Sequence, residues 1–359
     1  MCLSNWINPY YSSLINWKDS NDPLLKIVFP DVPELKTIGL QDQSGEGLNT
    51  KKTGVNGLQH KYGPTALMLV SGVCACYCRF CFRRRFVGTN SEIVKDLENA
   101  VRYIKNHPEI RNVLLTGGDS FMLSNKEIEK ILEKLFSIPH IKIVRFGSKM
   151  PVYLPSRFFD PELIKILKKF NKKGKNIYVI SHIDHPRELS PESIKAHKNL
   201  LSAGVSILSQ TVFIRRVNDD PKILVELFNK MAETGIRPYY IFQCRPVKGA
   251  MHFYIPISEG YRIIEKAKKN LSGIAKTFRY IMSHVSGKIE ILYAAASEER
   301  IAMFKYHQAR DPFYLGHIMI LKYSKPARWL DDIFSQPHEI IRGEETTDYA
   351  KIQIKKLKK

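Results

Sequence analysis

Four of the six cysteines fall within eight residues, Cys74-Ala-Cys76-Tyr-Cys78-Arg-Phe-Cys81. They contain the spacing C-x3-C-x2-C, and three thiolates so spaced can each take one iron of a [4Fe–4S] cube. The fourth iron then has no protein ligand, and an open iron is a reactive site rather than a structural one. Cys76 lies inside the spacer, and spacing alone does not decide against a triple that uses it. Structural zinc usually takes two pairs of cysteine or histidine separated by a dozen or more residues, and no second pair follows here. A disulfide framework belongs to small secreted chains, whereas this one has 359 residues.

Alternating strands and helices surround this loop. Short apolar runs at Ala66–Val70, Asn112–Leu115, Ile141–Phe146, Ile177–Ile180, Val205–Ser209 and Pro238–Phe242 read as strands, spaced about 30 to 45 residues apart as βα units are. Ser124 and Glu127 form a capping box ahead of an apolar stripe at Ile128, Ile131, Leu132, Leu135 and Phe136. Asp160-Pro161, Ser190-Pro191 and Asp220-Pro221 each pair a capping side chain with proline at the first helical position, and Gly174, Gly204 and Gly235 follow the helix ends. Six such units in succession predict a parallel barrel, closed or partial. Cys74 to Cys81 follow the first strand, Gly117-Gly118-Asp119 the second, His182 the fourth, Gln210 the fifth, and Gln243 to Arg245 the sixth. Equivalent strand ends form one face in such barrels, so these residues are expected to share one site.

Composition bounds the rest. The length suits a single α/β barrel with extensions, and 44% hydrophobic with 25% charged residues is ordinary for a globular core. No apolar run approaches the length of a spanning helix, and the N-terminus lacks the basic-then-apolar order of a signal peptide, so a cytoplasmic location is expected and membrane association is not. The formal charge of +21 is scattered over helix faces, with one basic block at Lys355–Lys359 and no interleaved aromatics, so nucleic acid is not an expected partner. We divide the chain into an N-terminal wrapping segment (1–60), a barrel (61–275), a C-terminal strand extension (276–330) with Phe278–Met282, Ile289–Ala294 and His317–Tyr323 as strands, and a tail (331–359). Ser258–Leu271 reads as a helix.

The cysteine loop, its strand context and Gly-Gly-Asp together resemble the radical S-adenosylmethionine (radical SAM) enzymes. More narrowly, the stretch from about Asp22 to Lys288 resembles the lysine 2,3-aminomutase family. The resemblance is carried by Gly57-Leu-Gln-His-Lys61-Tyr62, by the arginine triplet Arg83-Arg84-Arg85 after Cys81, by Leu115-Thr-Gly-Gly-Asp119, by His182-Ile-Asp-His185-Pro186, by Gln210 and by Arg237-Pro-Tyr-Tyr-Ile-Phe-Gln-Cys244. It implies an α/β fold, a partial (β/α)6 TIM-like radical SAM barrel with an N-terminal wrap and a C-terminal strand extension. It implies a [4Fe–4S] cluster on Cys74, Cys78 and Cys81, with SAM on the open iron beside Gly117, Gly118, Asp119, His182 and Gln210. It implies pyridoxal 5′-phosphate (PLP) carried on Lys288, with Lys61 and Tyr62 near its phosphate, and Arg83 on the substrate α-carboxylate. A small amino-acid substrate and a one-electron reductant of flavodoxin or ferredoxin type complete the expected partners, and a homo-oligomer is compatible with the family.

The chain departs from that pattern in several places. The loop before Lys288 reads Ser283-His-Val-Ser-Gly287, where the family has a glycine run, and Lys61 stands where it has arginine, losing the guanidinium's fork. The two aspartates that hold the ε-ammonium of lysine are matched by Arg245 and Ile281. An arginine there repels an ammonium and suits a carboxylate, with Lys248 nearby, so an acidic substrate, glutamate first, is expected over lysine. No cysteine follows Cys244 and Asp220 occupies the upstream ligand position, so the intersubunit zinc site of clostridial members is expected to be absent. Two other functions compete: PLP-independent radical chemistry on RNA, protein or a metabolite, and a non-enzymatic cluster protein, for which the arginine triplet and Gly-Gly-Asp have no use.

Overall fold

Among the described residues, twelve strands form one continuous sheet whose spatial order is their order in the chain. The computed structural model describes residues 3–36, 38–172, 174–295, 300–336 and 338–342. β1 (Leu58–Tyr62) pairs antiparallel with β2 (Thr65–Ser71). From β2 the sheet runs parallel through β3 (Asn112–Gly117), β4 (Ile143–Ser148), β5 (Asn176–His182), β6 (Ser206–Phe213), β7 (Arg237–Gln243) and β8 (Arg279–Ser283). It then turns antiparallel through β9 (Gly287–Ala294), β10 (Arg300–Ala309), β11 (Ile318–Tyr323) and β12 (His338–Arg342). The result is the parallel-dominated α/β sheet of a partial barrel.

Each parallel crossover carries a helix: Leu97–Lys105, Asn125–Ser137, Pro161–Phe170, Pro191–Ser202, Pro221–Glu233 and Ile257–Lys268. Their starts follow from side-chain chemistry. Ser124 N donates to Glu127 Oε2 at 2.8 Å while Glu127 N donates to Ser124 Oγ, closing the capping box. Asp160, Ser190 and Asp220 accept from Glu162 N, Ser193 N and Lys222 N, each ahead of its proline. The stripe from Ile128 to Phe136 is buried against the sheet.

Two expectations are corrected. The run around Phe278–Met282 is a seventh parallel strand rather than part of a separate extension, because the helix Ile257–Lys268 carries the chain across the sheet to lie beside β7. Its burial is continuous from Tyr280 to Ser283, the pattern of a strand covered on both faces rather than an edge. The segment from Asp331, expected as tail, begins inside the helix Leu330–Phe334 with Leu330 and Ile333 buried, and continues into β12 on the sheet. The basic block Lys355–Lys359 lies outside the described residues.

The N-terminal segment wraps one end of the sheet. Asn8 caps the helix Pro9–Ser13 and its amide donates to Tyr153 O at 2.7 Å, while Tyr11 Oη donates to Glu188 at 2.8 Å. The helix Glu46–Thr53 packs against β1. Among the described residues no helix is long and apolar enough to cross a membrane.

Candidate active site

The loop that leaves β2 is tied down from three directions. Gly118 N donates to Ser71 O at 2.6 Å and Asp119 N to Val73 O at 2.8 Å, so the end of β3 is welded to the start of the cysteine loop. A Cβ at Gly117 would stand 2.2 Å from Ser71 O, and one at Gly118 would stand 2.3 Å from Val73 O. Gly117 also has φ +137°, which side chains rarely adopt. These glycines are therefore required by the chain's own packing. Arg79 and Arg84 both pair with the buried Glu34, at 2.6 and 2.9 Å, anchoring the middle of the loop to the wrap.

Within the loop, Cys74, Cys78 and Cys81 are partly exposed, whereas Cys76 is buried and its Sγ accepts from Asn8 Nδ2 at 3.1 Å. The geometry thus separates Cys76 from the C-x3-C-x2-C triple that spacing alone left ambiguous. Cys78 Sγ hydrogen-bonds Tyr153 Oη at 2.8 Å. Burial pushes all three thiols of the triple up, and Cys74 and Cys78 are raised further by their sulfur neighbours. Three thiols on one cavity, which would repel one another as bare thiolates, suit a cationic metal centre, which deprotonates its thiol ligands outright. Among the described residues no three histidine, cysteine or acidic side chains converge on a single-ion site; a cube asks for less convergence, since each thiolate takes its own iron.

Asp119 is spent on structure. Its carboxylate accepts from Ser148 Oγ, Lys149 N, Met150 N and Phe121 N at 2.7–3.2 Å, binding the end of β3 to the end of β4. Burial nevertheless pushes it up to about 6. Beside it, Lys149 Nζ lies 2.9 Å from Asp184 and 2.8 Å from Glu188, and His182 Nε2 lies 3.0 Å from the other oxygen of Asp184. Burial opposes the charge on Asp184, yet His182 and Lys149 hold its carboxyl below the usual range. Gln210 is the registered partner of His182 on β6.

All the expected site residues line one cavity of about 310 Å³: the cysteine triple, Gly117 to Asp119, His182, Gln210, Lys61, Tyr62, Arg83, Arg245 and Lys288. Ile281 and Lys248 do not line it. Lys288 is the second residue of β9, and its ammonium has no hydrogen bond or ion pair among the described residues; its Nζ stands 4.9 Å from the Tyr240 ring centroid and 5.9 Å from that of Tyr62. Burial, then Arg145 and Arg245, bring it down to about 7. The turn before it, where the sequence departs from a glycine run, is braced by side chains: His284 Nδ1 pairs with Ser286 Oγ, and His284 Nε2 with Asp331. Lys61 Nζ donates to His284 O at 2.7 Å.

Arg83 is already engaged. Its Nε and one Nη donate to Glu46 at 3.0 and 2.8 Å, and the other Nη donates to Thr116 Oγ1 and Gly117 O. Arg245 donates to Ser44 Oγ and stacks on Phe82 with Cζ 3.6 Å from the ring centroid. Sequence reasoning missed Glu46, Arg145, Tyr153 and the Lys149–Asp184–Glu188 cluster. Lys149 and Asp184 follow β4 and β5, so the strand-end rule that found His182 could have found them. Glu46 left no such signal.

A family model described as the radical SAM superfamily matches residues 68–228, from β2 to the helix Pro221–Glu233. That span holds the cysteine loop and Gly-Gly-Asp, and it defines the class: a radical SAM protein, whose kind works with a [4Fe–4S] cluster and SAM. A protein of Aquifex aeolicus provisionally named L-lysine 2,3-aminomutase is 45% identical over 328 residues, 90% of this chain and 86% of that one. The L-lysine 2,3-aminomutase of Clostridium subterminale is 41% identical over 271 residues, 74% of this chain and 63% of the enzyme. The glutamate 2,3-aminomutase of Clostridioides difficile is 34% identical over 272 residues, 75% and 63% respectively. The chain thus spans just under two thirds of both clostridial enzymes. It belongs to the lysine 2,3-aminomutase family of radical SAM enzymes.

Proposed function

We propose that this chain is a radical SAM, PLP-dependent amino-acid 2,3-aminomutase that moves an α-amino group to the β-carbon of an acidic substrate, glutamate first. The observation that carries this reading is Lys288: an amine in the shared cavity, its side chain without a polar partner among the described residues, and brought down to about 7 by burial and by Arg145 and Arg245. Cys74, Cys78 and Cys81 hold the cluster, and His182 and Gln210 stand on the part of the cavity where SAM meets it. When bound, the cluster and SAM supply a 5′-deoxyadenosyl radical for hydrogen abstraction, and PLP supplies the carrier for the migrating amino group.

The protein's own residues do the rest. Tyr62 and Tyr240 wall the Lys288 amine with aromatic faces, and Lys61 sits where it can meet a phosphate. Glu46 fixes the orientation of Arg83. Charge accounts for the substrate preference. Asp184 and Glu188 neutralise Lys149, and Glu46 neutralises Arg83, which leaves Lys61, Arg145, Arg245 and Lys288 on the cavity without a carboxylate partner among the described residues. A lysine side chain would bring one more cation into that field; a glutamate side chain would bring an anion.

The test is borohydride trapping on anaerobically reconstituted protein incubated with PLP, followed by peptide mapping and amino-acid turnover. A pyridoxyl group on Lys288 with β-amino product from glutamate is the expected result. Efficient lysine turnover without glutamate turnover would sink the substrate assignment. No label, with SAM still cleaved under a one-electron reductant, would leave a family barrel used for PLP-independent radical chemistry, the reading that the glycine-poor turn before Lys288 favours.

A further inference from the structure

The three thiols of the cysteine triple differ in what surrounds them. Among the described residues only Cys78 has a side-chain hydrogen-bond partner, Tyr153 Oη at 2.8 Å. Tyr153 closes the short helix Met150–Tyr153 that follows β4, and like Cys78 it lines the cavity. The residue is 2% exposed and is held from several sides. The Tyr11 ring meets its ring edge-on at 4.7 Å, and Lys149 Nζ stands 5.1 Å from its centroid. Its backbone carbonyl accepts from Asn8 Nδ2 at 2.7 Å. Asp119 pins the start of the same helix by accepting from Lys149 N and Met150 N. The phenol oxygen is thus fixed beside the sulfur by packing on both its ring and its backbone.

While Cys78 is a thiol, either atom can supply the proton of this hydrogen bond. An iron-bound cysteine is a thiolate and has no proton to give, whereas a phenol keeps its own at neutral pH. Iron on Cys78 therefore makes Tyr153 the donor. A hydrogen bond into a ligand sulfur stabilises the more electron-rich form of a cluster, and such bonds are among the terms that set its potential. Tyr11, the aromatic neighbour, gives its hydroxyl proton to Glu188 instead.

We propose that Tyr153 donates its phenol proton in a hydrogen bond to the Cys78 thiolate and so eases one-electron reduction of the cluster on Cys74, Cys78 and Cys81. Tyr153 acts through Cys78 and is a positioning residue. The inference rests on the assignment of the cluster to that triple, and it depends on neither PLP nor the choice of substrate. One electron passes from a reductant of flavodoxin or ferredoxin type to the cluster. No bond at Tyr153 breaks, and its proton stays on oxygen while the hydrogen bond strengthens with the added negative charge.

The test is a potentiometric titration of anaerobically reconstituted full-length protein, read by electron paramagnetic resonance of the reduced cluster, with iron and sulfide assayed on every sample. Tyr153→Phe keeps the ring and removes the donor. It should hold iron and sulfide at wild-type content while its midpoint falls by about 59 mV, a tenfold loss in the equilibrium constant for one-electron reduction. Tyr11→Phe removes a hydroxyl from the same aromatic pair without touching the sulfur, and should move the midpoint far less. A midpoint unchanged or raised in Tyr153→Phe, or lowered equally in Tyr11→Phe, would overturn the proposal. Should Tyr153→Phe lose the cluster, Tyr153→Met, which fills the space with a flexible apolar side chain, takes its place with the same expected fall. Loss of the cluster in both would make Tyr153 a structural support and overturn the proposal as well. Full iron and sulfide on Cys78→Ala would refute the cluster assignment beneath it. A cluster that needs all three cysteines, with a midpoint indifferent to Tyr153, would refute this inference alone.

Discussion

The ionisation of Lys288 can be measured in two independent ways. An ordinary lysine titrates near 10.4 and is about 0.04% neutral at pH 7. With its ammonium brought down to about 7, Lys288 is about half neutral there, a gain in reactive amine of roughly a thousandfold. Pulsed acetylation across a pH series, read by peptide mass spectrometry, should give Lys288 a midpoint near 7, against one near 10 for lysine in an unstructured reference peptide. Stability supplies the second measure. Because the folded value lies below the unfolded one, the unfolded chain binds more protons between about pH 7 and 10, and stability rises with pH across that window. Below pH 7 both states are charged and the folded protein bears the whole penalty, which is at most about 5 kcal/mol and less where water reaches the amine. Lys288→Met should therefore stabilise the cofactor-free protein at pH 6 and do little at pH 10, as urea unfolding at the two pH values will show. A labelling midpoint near 10, with equal effects of the substitution at both pH values, would refute the reasoning.

Three further outcomes follow from the geometry. Alanine at Cys74, Cys78 or Cys81 should abolish the iron and sulfide bound on reconstitution, whereas Cys76→Ala should keep both and lose about 1 kcal/mol of stability with the Asn8 contacts. Gly118→Ala, whose Cβ meets backbone at 2.3 Å, should destabilise by about 3 kcal/mol in thermal unfolding and impair cluster loading, because the same contact shapes the cysteine loop. Burial alone would raise Glu46, yet Arg83 and Arg85 hold it down at about 2, so its contribution is complete above about pH 4 and is lost as pH falls toward 2. Glu46→Gln should thus cost roughly 3 kcal/mol at pH 7, a loss that shrinks with acidification in denaturant titrations.

The six strands first inferred recur within a few residues of β2 to β7, because each is an apolar run bounded by turn chemistry that a single sequence displays. β8 was misplaced for an equally physical reason: Tyr280-Ile281-Met282 looks alike in a parallel and an antiparallel setting, and only the crossover helix decides between them. The cysteine triple, Gly-Gly-Asp, His182 and Lys288 were legible because their types are rare or their spacing is fixed by chemistry. Their local reasons were less so. The resemblance places Gly117 and Gly118 beside SAM, and the structure adds a local requirement, since a Cβ on either would meet the carbonyl of Ser71 or Val73. Glu46 pairs with an arginine 37 residues away, and Arg145 reads in the sequence as one more basic residue among 56, since nothing local announces which charges face inward.

Lys61 reaches His284 across 223 residues of chain, and that contact lies where the partial barrel fails to close. Among the described residues β1 pairs with β2 alone, and its outer edge meets the β8–β9 turn through the Lys61 side chain. Nearby, Arg310 reaches Asn49 and Arg245 reaches Ser44. The wall of the reaction chamber is thus sewn with individual stitches along one line and woven everywhere else. Parting that line sacrifices a few polar contacts and no ladder of backbone hydrogen bonds. The same segment holds the cavity's arginines, Glu46 binding Arg83 and Ser44 accepting from Arg245, so a disturbance along this line reaches both guanidiniums without breaking the sheet.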